Sequence, residues 1–428
     1  MKRFSASVFL SLASLLASCT SFSQQPHPDP KQSHLAQEAT ADHFWFWKNP
    51  DAIYVSKDVP SGEEDSIRDI PRLENAFSDT APKDRQDGLV MGELGVDGGD
   101  KDKILKLVQE IADGQHKKVN SLLIAHKGKF VFESYFLSGR VNLTHPQASA
   151  TKTYTSLALG RAIQLGYLTM ADLDKPVISF LKELDPTQFV NGAERVTLHQ
   201  ALTMRTGIRL NDEKAEALRK HRDQMIGQSL VQNLLEQSDP VTAQSQRDFA
   251  YGHYSSPLVM QVIDAVVPGT AEAFIKRELF GKMGITTYGW STGMGGLPSA
   301  GSRASVTSRD MLKLGTLAIN KGQWNGEQLI PQAYIARATQ PILYPGDDSI
   351  FGGGKDVSNQ GYGYFWWSGD LKSGDKRYFS TSAQGGGGQF IILIDELDLI
   401  VVSTGHERHP VTLQMVAEHV LPAFIQEQ

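Results

Sequence analysis

The stretch SATKTYTSLALGRAIQLG, from Ser149 to Gly166, decides how the rest of the chain is read. Tyr154, Leu157, Ala158, Ala162 and Leu165 fall on one helical face. Gly166 stands where a helix over Thr155 to Leu165 would meet its C-terminal cap. A helix so patterned is expected to be buried, which places its first turn on the floor of a cleft. In that turn Ser149 and Lys152, at i and i+3, share a face. The partial positive charge of the helix N-terminus favours an alkoxide, and with burial it lowers the pKa of the amine. A hydroxyl beside such an amine is a candidate nucleophile with its base. A Ser-x-x-Lys string alone recurs by chance in chains of this length, so the surroundings carry the weight.

Upstream, Ile104 to Ile111 has helical spacing, and Ser121 to Phe136 reads as two apolar runs broken at Lys127-Gly128, a hairpin signal. The pattern returns near the C-terminus, where Phe390 to Ile394 and Leu399 to Thr404 are β-rich runs joined through Asp395-Glu396-Leu397-Asp398 and followed by a helical segment from Thr412 to Ile425. Between the two ends the patterning is mostly helical, including Met225 to Gln237, Pro257 to Val266 and Arg309 to Asn320. Strands at both ends with helices between predict an α+β fold: an antiparallel sheet built from both chain ends, flanked by helices, with a mostly helical inserted subdomain.

Two further segments complete a hydroxyl-based site. Phe249-Ala250-Tyr251-Gly252-His253-Tyr254-Ser255 lies about a hundred residues after Ser149, and its Tyr251 is a candidate proton relay, although taken singly it also reads as a core aromatic. Ala383-Gln384-Gly385-Gly386-Gly387-Gly388-Gln389 immediately precedes a strand; glycines there allow close approach of a ligand and leave N–H groups to hold an oxyanion, or simply make a flexible turn. A competing motif, Gly289-Trp290-Ser291-Thr292-Gly293, fits the G-x-S-x-G nucleophile elbow, with Asp395 and His406 following in the required order. An elbow needs a helix directly after the serine, and Met294-Gly295-Gly296-Leu297-Pro298 does not start one promptly.

Ser-x-x-Lys, then a tyrosine motif, then a glycine-containing strand motif, in this order and spacing, resembles the serine β-lactamase and penicillin-binding protein superfamily. The likeness is greatest to its class C-like branch of esterases, D-stereospecific peptidases and 6-aminohexanoate-dimer hydrolases. Leu123 to Phe136 looks like the family's first hairpin, Val196 to Gly207 like its T-x-x-x-L-L-x-M-x-S-G signature, and Gly361 to Trp367 with Ala383 to Gln389 like the 6-aminohexanoate-dimer hydrolase group. The resemblance implies a serine hydrolase cleaving amides or esters through an acyl-enzyme. In it Ser149 is the nucleophile, Lys152 the base and Tyr251 the general acid/base. The oxyanion and substrate are held around Gly385, Gly386, Gly387 and His253. Two departures stand out. His253 replaces the asparagine of the usual Tyr-x-Asn, and the third motif has Ala383 or Gln384 where a Lys or His usually stands. That cation commonly serves the carboxylate of penicillins and peptidoglycan stems, so β-lactamase or DD-peptidase activity is expected to be weak while amide or ester hydrolysis is retained. The same departures leave a second reading open, a non-catalytic, envelope-tethered protein that binds peptidoglycan or a partner in this cleft.

The N-terminus adds an address. Lys2 and Arg3 precede the apolar run Phe9 to Leu16, too short to span a bilayer but right for a signal segment. Leu16-Ala17-Ser18-Cys19 resembles a bacterial lipobox, and Cys19, the chain's 1 cysteine, has no internal partner for a disulfide. The expectation is a signal peptide over residues 1–18, lipid attachment at Cys19, a tether over 19–43, an N-terminal extension over 44–87 and a hydrolase domain over 88–428, held at the bacterial cell envelope. Phe44-Trp45-Phe46-Trp47 reads as a strap packed on that domain or as a membrane contact. The net charge of -6 and the lack of a dense basic block argue against nucleic acid as a partner. No metal or organic cofactor is called for, and the expected partners are a small-molecule or peptide-like amide or ester and the membrane.

Overall fold

The computed structural model describes residues 72–425 apart from 222–223 and 348–349. The expected signal peptide, Cys19, the tether and the Phe44-Trp45-Phe46-Trp47 cluster lie outside the described residues.

Both ends of the chain build one sheet. Its strands are β1 (Phe77–Asp79), β2 (Val119–His126) and β3 (Lys129–Tyr135) from the N-terminal part, and β9 (Val357–Tyr362), β10 (Trp367–Ser373), β11 (Lys376–Gly385), β12 (Gln389–Ile394) and β13 (Leu399–Gly405) from the C-terminal part. They lie in the order β1-β3-β2-β13-β12-β11-β10-β9, with every neighbour antiparallel. The β2–β3 hairpin turns at Lys127 (φ 50°) and Gly128 (φ 72°). Two successive left-handed residues make the type I′ turn whose twist matches the strands. Across the β12–β13 connection a 3₁₀ turn over Asp395–Leu397 ends at Asp398, φ 46°.

The sheet is covered on both faces, which is why its central strands read as continuous apolar runs and not as alternating ones. Leu122 and Ile124 of β2, Ile392 and Ile394 of β12, and Leu399 and Val401 of β13 enter one core. Their neighbours Leu123, Ala125, Ile391, Leu393, Ile400 and Val402 enter the other. Helix α1 (Lys101–Ala112, capped by Asp100) and the C-terminal helical segment, residues 412–424 with a π-helical turn over Val416–Val420, cover the first face. The second face carries the helical insertion: α2 (Thr151–Gln164), α3 (Ser229–Gln237), α4 (Ser255–Val266) and α5 (Ser308–Ile319). A small sheet of β4 (Thr144–Pro146), β6 (Ala304–Thr307) and β5 (Tyr288–Trp290), in that order, and the short pair β7 (Gln323–Trp324) and β8 (Glu327–Gln328) complete this side. Helix α5 lies so close to the sheet that a Cβ on Gly315 would stand 2.8 Å from Ile391 and 3.0 Å from Ile400.

Local chemistry sets the helix boundaries. In α2 the amide of Gly166 (φ 79°) reaches the carbonyl of Ile163, and that of Tyr167 reaches Ala162. This is the double bond of a Schellman cap, and it leaves Leu165 at the cap 38% exposed instead of on the buried face. The rest of α2 is buried all round from Thr151 to Ile163, not along one face only. The helix expected from Met225 begins at Ser229, because Gly227 takes φ 61° and breaks the turn before it. In α4 Pro257 stands in the first turn, where its missing N–H costs no intrahelical bond.

One buried ion network pins the segment upstream of Gly88 to the sheet. The Arg309 guanidinium of α5 donates to Glu133 (2.6 and 3.0 Å), to Asp87 (3.3 Å) and to the Lys83 carbonyl, while Tyr135 also donates to Glu133 (2.9 Å). Among the described residues no single helix is long and apolar enough to cross a membrane.

Candidate active site

Ser149 lies in a 3₁₀ turn, Ala148–Ala150, that runs directly into α2. The residue before it, Ala148, holds φ 44°. A left-handed alanine costs of order 1–3 kcal/mol and persists where its surroundings impose it. The neighbours here are the end of β11, where a Cβ on Gly385 would sit 2.1 Å from the Gln147 carbonyl oxygen. Only glycine lets that strand approach so closely, and β11 thereby flanks the turn that presents Ser149.

Lys152, one turn into the helix system, is 1% exposed. Its Nζ donates to Ser149 Oγ at 3.3 Å and to the Gly301 carbonyl at 3.0 Å, and it stands 4.8 Å from the centre of the Tyr251 ring. Burial lowers its pKa from 10.5 to about 8. The close fit depends on Gly301, where a Cβ would meet Ser256 Oγ at 2.7 Å and the Lys152 tip at 3.5 Å.

Tyr251 closes the other side. Its ring is 40% exposed and is held in an aromatic corner by Trp367 (centroids 5.3 Å apart), Tyr362 (6.1 Å) and Phe249 (6.4 Å). Desolvation raises its pKa; hydrogen bonds from the Ser149 and Trp367 side chains oppose that shift. The two titratable groups that meet at Ser149 are therefore driven in opposite senses, an amine made easier to deprotonate and a phenol kept protonated. Such a divergence is what a base and an acid sharing one site would require.

The third motif has a more limited part. β11 pairs with β12 as far as Gly385 opposite Gln389, and Gly386, Gly387 and Gly388 form the turn between them. A Cβ on Gly386 would stand 3.9 Å from that of Ala148, so this glycine is beside the turn that carries Ser149. Gly387 (φ 94°) bonds away from it, accepting from the Glu407 amide at 2.9 Å. Ala383 is fully buried, and the Gln384 amide is engaged with Ser382 Oγ at 2.9 Å.

His253 is exposed, with its pKa lowered first by desolvation and then by the Lys152 charge. It lines a cavity of about 400 Å³ with Ile226, Leu230, Met260, Met294, Leu297 and Gly301. The cavity thus opens next to the carbonyl that holds Lys152, and its walls mix aliphatic side chains with polar ones, among them Gln261, Thr292, Ser302 and Arg303.

The competing serine has no such partners. Ser291 is buried just after β5, with its backbone paired to Arg303 and Ser299. Asp395 opens the turn before β13, paired with Lys321 on the surface, while His406 follows the far end of that strand, 3.1 Å from Asn120 Oδ1. Seven strand residues separate the two, about 20 Å at ~3.3 Å per residue.

Ser149, Lys152 and Tyr251, separated in sequence, are thus brought together. Cys19 lies outside the described residues. Gly301, Trp367 and the cavity walls were not singled out as site residues. Trp367 had a visible signal in the aromatic stretch from Gly361. Gly301 had none, because its role is to lack a side chain where Lys152 turns.

A family model described as Beta-lactamase matches residues 104–420. No curated protein matches the chain. Among solved structures the chain is similar to a candidate 6-aminohexanoate-dimer hydrolase from Bacillus anthracis at 18% identity, with a TM-score of 0.57, covering 74% of this chain and 83% of that one. It is also similar to a D-stereospecific amidohydrolase from Streptomyces sp. (13% identity, TM-score 0.54, 77% and 100% covered). A class C beta-lactamase matches at 13% identity with a TM-score of 0.56, covering 77% and 97%. At these identities the solved structures speak for the fold alone.

Proposed function

The chain belongs to the Beta-lactamase family, and from that premise we propose that it hydrolyses amide or ester bonds through an acyl-enzyme on Ser149. The observation that carries the reading is Lys152: buried, lowered to about 8 and 3.3 Å from the Ser149 hydroxyl. At pH 7 roughly a tenth of such an amine is neutral, against less than a thousandth for an ordinary lysine.

In the forward step neutral Lys152 takes the Ser149 proton as Oγ bonds to the substrate carbonyl carbon. The amide of Ser149 and that of a residue near Gly386 receive the oxyanion. The Tyr251 phenol, kept neutral, gives its proton to the departing amine or alkoxide and recovers one from Lys152, so the acyl-enzyme forms with the proton count unchanged. Water then attacks the ester with the same groups acting in reverse. Leu230, Met260 and Leu297 in the wall of the cavity beside His253 support a substrate carrying an apolar group on one side of the scissile bond, and Ala383 and Gln384, which bring no cation for a carboxylate, support a neutral group on the other.

The same reading places the protein at the bacterial cell envelope, lipidated on Cys19, with residues 19–43 as its tether. Incorporation of labelled fatty acid, lost in Cys19→Ala, tests that part. For the activity, the purified protein is exposed to a fluorophosphonate and weighed intact. One adduct per chain, absent in Ser149→Ala, is expected. A folded wild type that takes no adduct would instead favour the cleft of a non-catalytic binding protein.

A further inference from the structure

On the face of the sheet opposite Ser149, three side chains from three segments converge. Glu110 is in the last turn of α1, His116 is in the loop before β2, and His419 is in the C-terminal helical segment. Glu110 Oε2 is 3.3 Å from His116 Nε2 and 3.3 Å from His419 Nδ1. The two imidazoles meet edge to face at 4.7 Å, and one donor atom from each of the three residues lies within 4.8 Å of the others.

Bonds of 2.0–2.1 Å at a tetrahedral zinc ion put neighbouring ligand atoms about 3.3–3.4 Å apart. Two of the three ligand–ligand edges already have that length. The third lies within 4.8 Å and has to shorten when an ion binds, and both rings are only partly buried. We propose that Glu110, His116 and His419 form a binding site for a zinc-class divalent transition-metal ion. Two imidazoles and a carboxylate suit such an ion better than calcium or magnesium, which take oxygen ligands. Three protein ligands leave a fourth position for water.

The neighbouring charges are mixed. The other ring nitrogen of His419 is 4.0 Å from Glu418, which itself pairs with Lys355 at 3.0 Å. Lys106 stands 3.8 Å from Glu110 Oε1 and opposes a cation, but its side chain is 78% exposed and free to turn into solvent. An ion here ties α1 and the lead into β2 to the C-terminal segment, the two chain ends that jointly make the sheet. It therefore acts on stability and not on the Ser149 chemistry.

The test uses the purified, metal-stripped protein titrated with Co²⁺ and then Zn²⁺. One Co²⁺ per chain is expected, with the visible absorption of a tetrahedral site, displaced by Zn²⁺. Zinc also raises the melting temperature. Both effects are lost in His419→Ala and in Glu110→Gln, while labelling of Ser149 is unchanged in the variants. Absence of the absorption and of the melting shift in folded wild type would overturn the proposal, as would equal binding by the two variants. Because the readout is metal binding, its failure leaves the hydrolase reading untouched.

Discussion

Replacing Lys152 with Met removes the charge that the fold suppresses and keeps the volume of the buried chain. A lysine lowered from 10.5 to about 8 makes the folded state bind fewer protons than the unfolded one between those values. Stability therefore rises with pH through that window, and the cost of burying the group is full below it. At pH 7 the linked cost is about 3 kcal/mol, and at pH 10 it has fallen to about 1 kcal/mol. The variant escapes this cost but leaves the Gly301 carbonyl without its donor, which takes back ~1–3 kcal/mol at every pH. Subtraction between the two pH values removes that constant part. Urea unfolding of wild type and Lys152→Met should thus show a stability difference that moves by about 2–3 kcal/mol against the variant from pH 7 to pH 10. In the wild type kcat/KM should climb tenfold per pH unit and level off near pH 8. A stability difference independent of pH, with a flat activity profile across pH 7–9, would refute the reasoning that Lys152 is a suppressed base.

Tyr251→Phe keeps the aromatic corner with Trp367 and Tyr362 but removes the proton donor. Steady-state kinetics should show kcat lower by about 10²–10⁴-fold with KM little changed. Leu297→Trp narrows the cavity beside His253; KM should rise for p-nitrophenyl esters of long acyl chains and stay level for the acetate. Glu133→Ala leaves buried Arg309 with the 3.3 Å carboxylate of Asp87 and the Lys83 carbonyl in place of its closest ion pair and should cost about 3–5 kcal/mol in urea unfolding, with turnover per folded molecule retained.

The fold was legible where side-chain period and turn chemistry agree. Lys127-Gly128 between two apolar runs gave a hairpin because its backbone needs are local, and the capping glycine at Gly166 ended α2 for the same reason. The start of α3 was misplaced because Met225 and Ile226 carry the apolar period into a segment that Gly227 bends into a bridge with Gly295. The convergence of Ser149, Lys152 and Tyr251 was legible through the order and spacing of three segments, not through any one of them, since each residue type is common. The supporting shell was not. Gly301 serves through an absent side chain, Ala148 through a backbone angle, and Gly385 through contact with a carbonyl 238 positions earlier in the chain. Such roles exist only after the chain has folded, so no local pattern announces them. The His116 and His419 pair was illegible for a related reason: each is a lone histidine until the sheet brings the two chain ends together.

The central claim is that Ser149 carries the acyl group. The most direct measurement is to mix the protein with a p-nitrophenyl ester on the stopped-flow time scale, quench in acid, and map the acyl adduct by peptide mass spectrometry. A burst of p-nitrophenol approaching one per chain is expected, with an adduct confined to the peptide containing Ser149, and neither in Ser149→Ala. An adduct on Ser291, or turnover surviving in Ser149→Ala, would contradict it.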